Sequence, residues 1–74
     1  MKLGEKIGDY LTQHGIRKSF VAEKTGIPLY TINDMCNGKR KVGALEYFSI
    51  CKAISVPVTT FINDEETDLE EVSE

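Results

Sequence analysis

Along residues 2–14, Leu3, Ile7, Tyr10, Leu11 and His14 recur at intervals that place them on one stripe of a helix. Lys2, Glu5, Lys6, Asp9 and Gln13 occupy the other side, and Gly15 supplies a stop. A second segment spans residues 17–25, with Val21 and Ala22 inward and Gly26 at its end. Arg17 and Lys18 make a poor start for it, and Ser19 is a candidate cap for a later start. Ile27-Pro28 opens a third segment, since proline is tolerated where a helix begins. It runs to Cys36 with Ile32 and Met35 on one face, and Asn37-Gly38 turns the chain. Residues 44–54 repeat the helical spacing at Ala44, Tyr47, Phe48, Cys51 and Ile54, widened by Leu45 and Ile50. Pro57 opens a fifth, short helix carrying Phe61 and Ile62. No strand alternation and no internal repeat is visible. The pattern predicts an all-α fold, a compact five-helix bundle.

Composition narrows the reading. The chain has 74 residues, so it is one domain with little room for a deep cleft. At 41% hydrophobic and 28% charged it has an ordinary globular balance. It has neither an apolar run long enough to span a bilayer nor a secretory leader pattern, so a cytoplasmic location is expected. The net charge of −3 speaks against nucleic acid until it is divided. Seven of the twelve acids, Asp64, Glu65, Glu66, Asp68, Glu70, Glu71 and Glu74, lie beyond Asn63, which leaves five acids against all nine bases before it. Residues 1–63 therefore carry +4 and form the expected domain. Residues 64–74 form an acidic tail, expected to be disordered: a solubilising linker, a competitor of a polyanion for the basic face, or a lead toward a partner-binding segment.

Little chemistry of bond making is visible. Cys36 and Cys51 stand 15 apart, and His14 is the one histidine, too few ligands for structural zinc. Free thiols are expected, with Cys51 a small core residue and Cys36 partly exposed. Gly4 and Gly8 do not make a dinucleotide fingerprint, and Gly38-Lys39 lacks the upstream glycine of a phosphate loop. No metal, no cofactor and no enzyme activity is expected.

The second and third segments point elsewhere. A small Ala22, a turn at Gly26 and inward Ile32 and Met35 give the layout of a helix-turn-helix, two helices crossing at about 90–120°. The run Ile16-Arg17-Lys18-Ser19-Phe20-Val21-Ala22-Glu23-Lys24-Thr25-Gly26-Ile27-Pro28-Leu29-Tyr30-Thr31-Ile32-Asn33-Asp34-Met35-Cys36-Asn37-Gly38-Lys39-Arg40-Lys41 resembles the phage-repressor and Cro-like helix-turn-helix family (the XRE family). The likeness continues through Tyr47, Phe48, Ile50, Ala53, Ile54, Val56, Phe61 and Ile62, about residues 3–63 in all. It implies a lambda-repressor-like domain of five helices, with the third, at about 28–36, as recognition helix in the major groove of double-stranded DNA.

Stepping 100° per residue from an inward Ile32 puts Tyr30, Asn33, Asp34 and Asn37 on the opposite, polar side. The expected base-reading residues are Leu29, Tyr30, Asn33 and Asp34: an amide for an adenine edge, a carboxylate for cytosine N4, apolar groups for a thymine methyl. Residues 28–36 carry no Arg or Lys, so the commonest guanine contact is missing there. The expected phosphate contacts are Lys18, Thr31, Asn37, Lys39, Arg40 and Lys41, which set affinity and register. The resemblance also implies a homodimer through the last helices, near Val56, Pro57, Val58, Phe61 and Ile62, for half-sites about 34 Å apart. The function expected is a sequence-specific transcriptional regulator, a repressor. The alternative is a protein-interaction module on the same fold, such as an antagonist of another regulator, suggested by the acidic, apolar-leaning Leu29-Tyr30-Asp34 face.

Overall fold

The computed structural model describes residues 2–62 and is all-helical there, with four α-helices and no strand among the described residues. They are α1 (Leu3–Gln13), α2 (Lys18–Thr25), α3 (Leu29–Cys36) and α4 (Ala44–Ala53). α3 packs against α1 and α2, and α2 against α4. No described helix is long and apolar enough to cross a membrane. The acidic segment 64–74, and the boundary placed at residue 63, lie outside the described residues.

Each helix end has a local cause. Glu5, three residues after Lys2, accepts the Lys2 N–H at 2.9 Å and satisfies a donor at the start of α1. Glu46 does the same for Gly43 at the start of α4, at 2.9 Å. α2 begins at Lys18 after Arg17 with no side-chain cap, so Ser19 lies inside the first turn and does not cap a later start. α1 closes through Ile16 N–H on the Leu11 carbonyl (2.8 Å), with Gly15 at φ +66° making the reversal. α3 closes the same way through Lys39 N–H on Asp34 (2.8 Å) and Gly38 at φ +77°. At the end of α4, Val56 N–H bonds Cys51 (3.0 Å), but the left-handed residue is Ser55, at φ +61°.

The core is built from Leu3, Ile7 and Leu11 of α1, Val21 of α2, Ile32 and Met35 of α3, Val42, and Tyr47, Ile50 and Cys51 of α4. Phe61 completes it, edge-on to Tyr10 at 5.3 Å and to Tyr47 at 6.3 Å. Two glycines let α1 approach α3. A Cβ on Gly4 would overlap the Met35 carbonyl, and one on Gly8 would lie 3.0 Å from the Cys36 Cβ.

Three expectations need correction. First, residues 57–62 are not a fifth helix. Thr60 N–H bonds Pro57 (3.0 Å) and Ile62 N–H bonds Thr59 (3.4 Å), which makes turns. Val58, Thr59 and Thr60 are consecutive β-branched residues with low helix propensity, and the Tyr47 hydroxyl takes the Val58 carbonyl as its acceptor. Second, the stripe of α4 is narrower than expected. With Tyr47 inward, Phe48 falls about 100° away and Leu45 about 160° away. Accordingly Phe48 is exposed and Leu45 is 80% exposed. Third, His14 leaves the α1 stripe: it is exposed and stacks on Tyr10 at 4.0 Å.

Candidate nucleic-acid interface

α3 has two chemically distinct sides. Ile32 and Met35 are buried, while Tyr30 is 72% and Leu29 43% exposed. Thr31, Asn33 and Asp34 are half-buried along its flanks, and Asn37 is exposed just past its end. Of the expected base-reading residues, therefore, Leu29 and Tyr30 stand out furthest.

The turn into α3 has three residues, Gly26–Pro28. Gly26 adopts φ +80° and returns its N–H to Ala22 at 2.9 Å. Thr25 stitches the turn. Its hydroxyl donates to the Val21 carbonyl at 2.8 Å and accepts the Ile27 N–H at 3.1 Å. Sequence reading passed over Thr25, although a threonine just before a left-handed glycine is a signal for such a back-bond.

The basic residues divide by their surroundings. Lys18, half-buried at the start of α2, lies near enough to Cys36 to favour its thiolate. Burial outweighs that influence and pushes the Cys36 thiol above its ordinary value. Lys39, Arg40 and Lys41 are exposed in the loop after α3. Arg40 is engaged: its guanidinium donates to Glu46 at 2.7 Å, using the carboxylate that also holds the Gly43 N–H. The spacing i, i+6 across a loop hid this pair from a reading based on helical neighbours.

The fold adds a basic residue that the expected set left out. Lys2 extends its ammonium to the Gly38 carbonyl at 2.9 Å, across 36 positions of sequence. With Lys39, Arg40 and Lys41 it surrounds an open recess of about 210 Å³, whose other walls are Leu3, Gly4, Gly38 and Val42. Among the described residues, no group of three His, Cys, Asp or Glu side chains is gathered to hold a metal ion.

The C-terminal segment presents less outward surface than expected. Phe61 is in the core, Val56 and Ile62 are half-buried against it, and Val58 is 43% exposed. The reason is the aromatic contact of Phe61 with Tyr10 and Tyr47 and the hydrogen bond of Tyr47 to Val58.

No family model matches the chain, and no curated protein or solved structure matches it either.

Proposed function

We propose that the protein is a sequence-specific, double-stranded-DNA-binding transcriptional regulator, a repressor, in which α2 and α3 act as a helix-turn-helix and α3 enters the major groove. The observation that carries this reading is the division of α3: an apolar side held on α1 and α2, an outward Leu29 and Tyr30 with Asn33 and Asp34 half-buried on the flanks, and bases directly after it. A helix is about 10–12 Å across with its side chains, which suits a groove about 12 Å wide. In this reading Asn33 addresses an adenine edge, Asp34 a cytosine amine, and Leu29 and Tyr30 thymine methyls. Lys18, Thr31, Asn37, Lys39, Arg40 and Lys41 take the backbone. No catalysis is involved, and the protein acts in the cytoplasm. Pairing of two copies, if half-sites are read, relies on Val58 with the edges of Val56 and Ile62.

Selection of bound duplexes from a random pool tests the reading. An enriched sequence is expected, bound with a log–log salt slope of roughly −4 to −5 if about five phosphates are neutralised per subunit. Enrichment of no sequence would sink it.

A second reading, a protein-interaction module on the same scaffold, is favoured by the exposure of Leu29 and Tyr30 on a helix that bears no base. It expects Tyr30→Ala to abolish function while charge reversal at Lys39 and Arg40 leaves it intact. The DNA reading expects charge reversal to be the damaging change.

A further inference from the structure

We propose that the recess between the start of α1 and the loop of residues 38–42 seats one phosphate group of the DNA backbone, with Lys2 as a contact residue. This rests on the DNA-binding reading and specifies where one backbone contact is made.

The recess collects charge that the sequence keeps apart. Lys39, Arg40 and Lys41 are neighbours in the chain, but Lys2 reaches them only because α1 docks beside the end of α3. No carboxylate lines the recess. Two stand close: Glu46 holds Gly43 and pairs with Arg40, whereas Glu5 holds the Lys2 N–H at 2.9 Å through one oxygen and lies beside Gly38 with the other, so its charge offsets part of the bases'. Glu46 already neutralises Arg40, so the positive charge available to a ligand comes chiefly from Lys2, Lys39 and Lys41.

Lys2 is also the best positioned of the three. An ammonium has three donors, and one is spent on Gly38. That bond fixes the head group at the rim and leaves two donors for an anion, so less side-chain freedom is lost on binding than for an untethered surface lysine. The recess is open to solvent, so a phosphate can enter while remaining part of a polymer. Gly38 lines it too, two residues beyond Cys36 at the end of α3. A phosphate held there would fix the end of α3 relative to the DNA, the positioning role of backbone contacts.

Free inorganic phosphate offers the same chemistry, and the test separates the two sources. Wild-type protein, Lys2→Gln, Lys2→Arg and Lys41→Gln are titrated with the selected duplex over a salt series, with Tm measured for each. The duplex is then rescanned with one neutral methylphosphonate at a time. Lys2→Gln is expected to weaken binding by up to about fivefold, the scale of one exposed ion pair, and to flatten the salt slope by about 0.9. Lys2→Arg restores both. One methylphosphonate position weakens the wild type most and Lys2→Gln less; Lys41→Gln, which changes an exposed side chain, shows a reduced loss at that same position and decides the matter if Lys2→Gln does not fold. An unchanged salt slope in Lys2→Gln, or equal methylphosphonate losses in every variant, overturns the proposal while leaving the DNA reading in place. If the wild type binds no duplex, both fall. Amide shifts at Lys2, Gly38 and Val42 on titration with inorganic phosphate would then assign the recess to the free anion, against the backbone contact proposed.

Discussion

Glu46 holds Arg40 at 2.7 Å through one carboxylate oxygen and the Gly43 N–H at 2.9 Å through the other. One side chain therefore starts α4 and neutralises a third of the basic loop. The two tasks separate in Glu46→Gln, whose amide oxygen still accepts from Gly43 but no longer pairs with Arg40. The lost ion pair is partly exposed, so unfolding free energy should fall by less than about 1 kcal/mol in urea titration. Freed Arg40 should tighten duplex binding and steepen the salt slope by about one unit. Unchanged affinity would mean that Arg40 stays away from the backbone. Glu46→Ala removes the cap as well and should cost about 1 kcal/mol more.

Gly4 and Gly8 face the same neighbour with different tolerance. A methyl at Gly4 collides with the Met35 carbonyl, which belongs to backbone and has nowhere to move. Gly4→Ala should cost about 3 kcal/mol or more, a large share of what a domain this size has. At Gly8 the Cys36 Cβ lies at 3.0 Å and its carbonyl at 3.4 Å, so α3 must give by a few tenths of an ångström, against which the helix gains about 1 kcal/mol from losing a glycine. Gly8→Ala should lie within about 1 kcal/mol of wild type. Equal, small losses in the two variants by thermal melting would contradict the close approach of α1 to α3.

These glycines mark what was and was not legible in the sequence. The four helices follow from apolar spacing and glycine stops, because Ile7, Leu11, Val21, Ile32, Met35, Tyr47 and Ile50 are both periodic and buried. A glycine at i and i+4 inside a helix is also a local signal, yet only the fold tells which backbone it admits. Residues 57–62 misled because proline followed by hydrophobic residues suits a turn as well as a helix start. There the outcome was decided by Tyr47 and Tyr10, partners that are distant in the chain. The basic run after α3 was plain, but its pairing with Glu46 and its completion by Lys2 depend on tertiary placement.

Alkaline pH should destabilise the fold. Burial pushes the Tyr47 phenol and the Cys51 and Cys36 thiols above their ordinary values of 10.0, 9.0 and 9.0; the Cys51 thiol beside Tyr47 raises the phenol further. Each group holds its proton more tightly folded than unfolded. The stabilisation is thus complete below the unfolded values and is lost as pH rises through the folded ones. Denaturation midpoints should be flat near neutrality and fall above about pH 9. Tyr47→Phe should lose about 1 kcal/mol at neutral pH with its Val58 bond, and show a shallower decline above about pH 10. A parallel decline in both proteins would exclude the phenol as the cause.

Ser55 occupies a left-handed position where Gly15 and Gly38 serve elsewhere in the chain. A residue with a Cβ pays about 1 kcal/mol or more for that geometry, partly offset by the extra freedom glycine has when unfolded. Ser55→Gly should therefore raise stability by about 0.5–1 kcal/mol. A loss on chemical denaturation would show that the Ser55 side chain contributes more than its strain.

Base reading and backbone binding should part at Asn33 and Lys39. Asn33 lies half-buried on the flank of α3, so an amide there can meet a base edge only if the helix sits deep in the groove. Lys39 is exposed one residue after the left-handed Gly38. Asn33→Ala should cost about 1–3 kcal/mol on the selected duplex and little on others, relaxing preference at one position. Lys39→Gln should weaken all duplexes alike and flatten the salt slope by about one unit. The assay is competitive binding to the selected duplex and its single-base variants at two salt concentrations. If Asn33→Ala weakens every duplex equally, its amide reads no base, and discrimination must reside in Leu29, Tyr30 and Asp34.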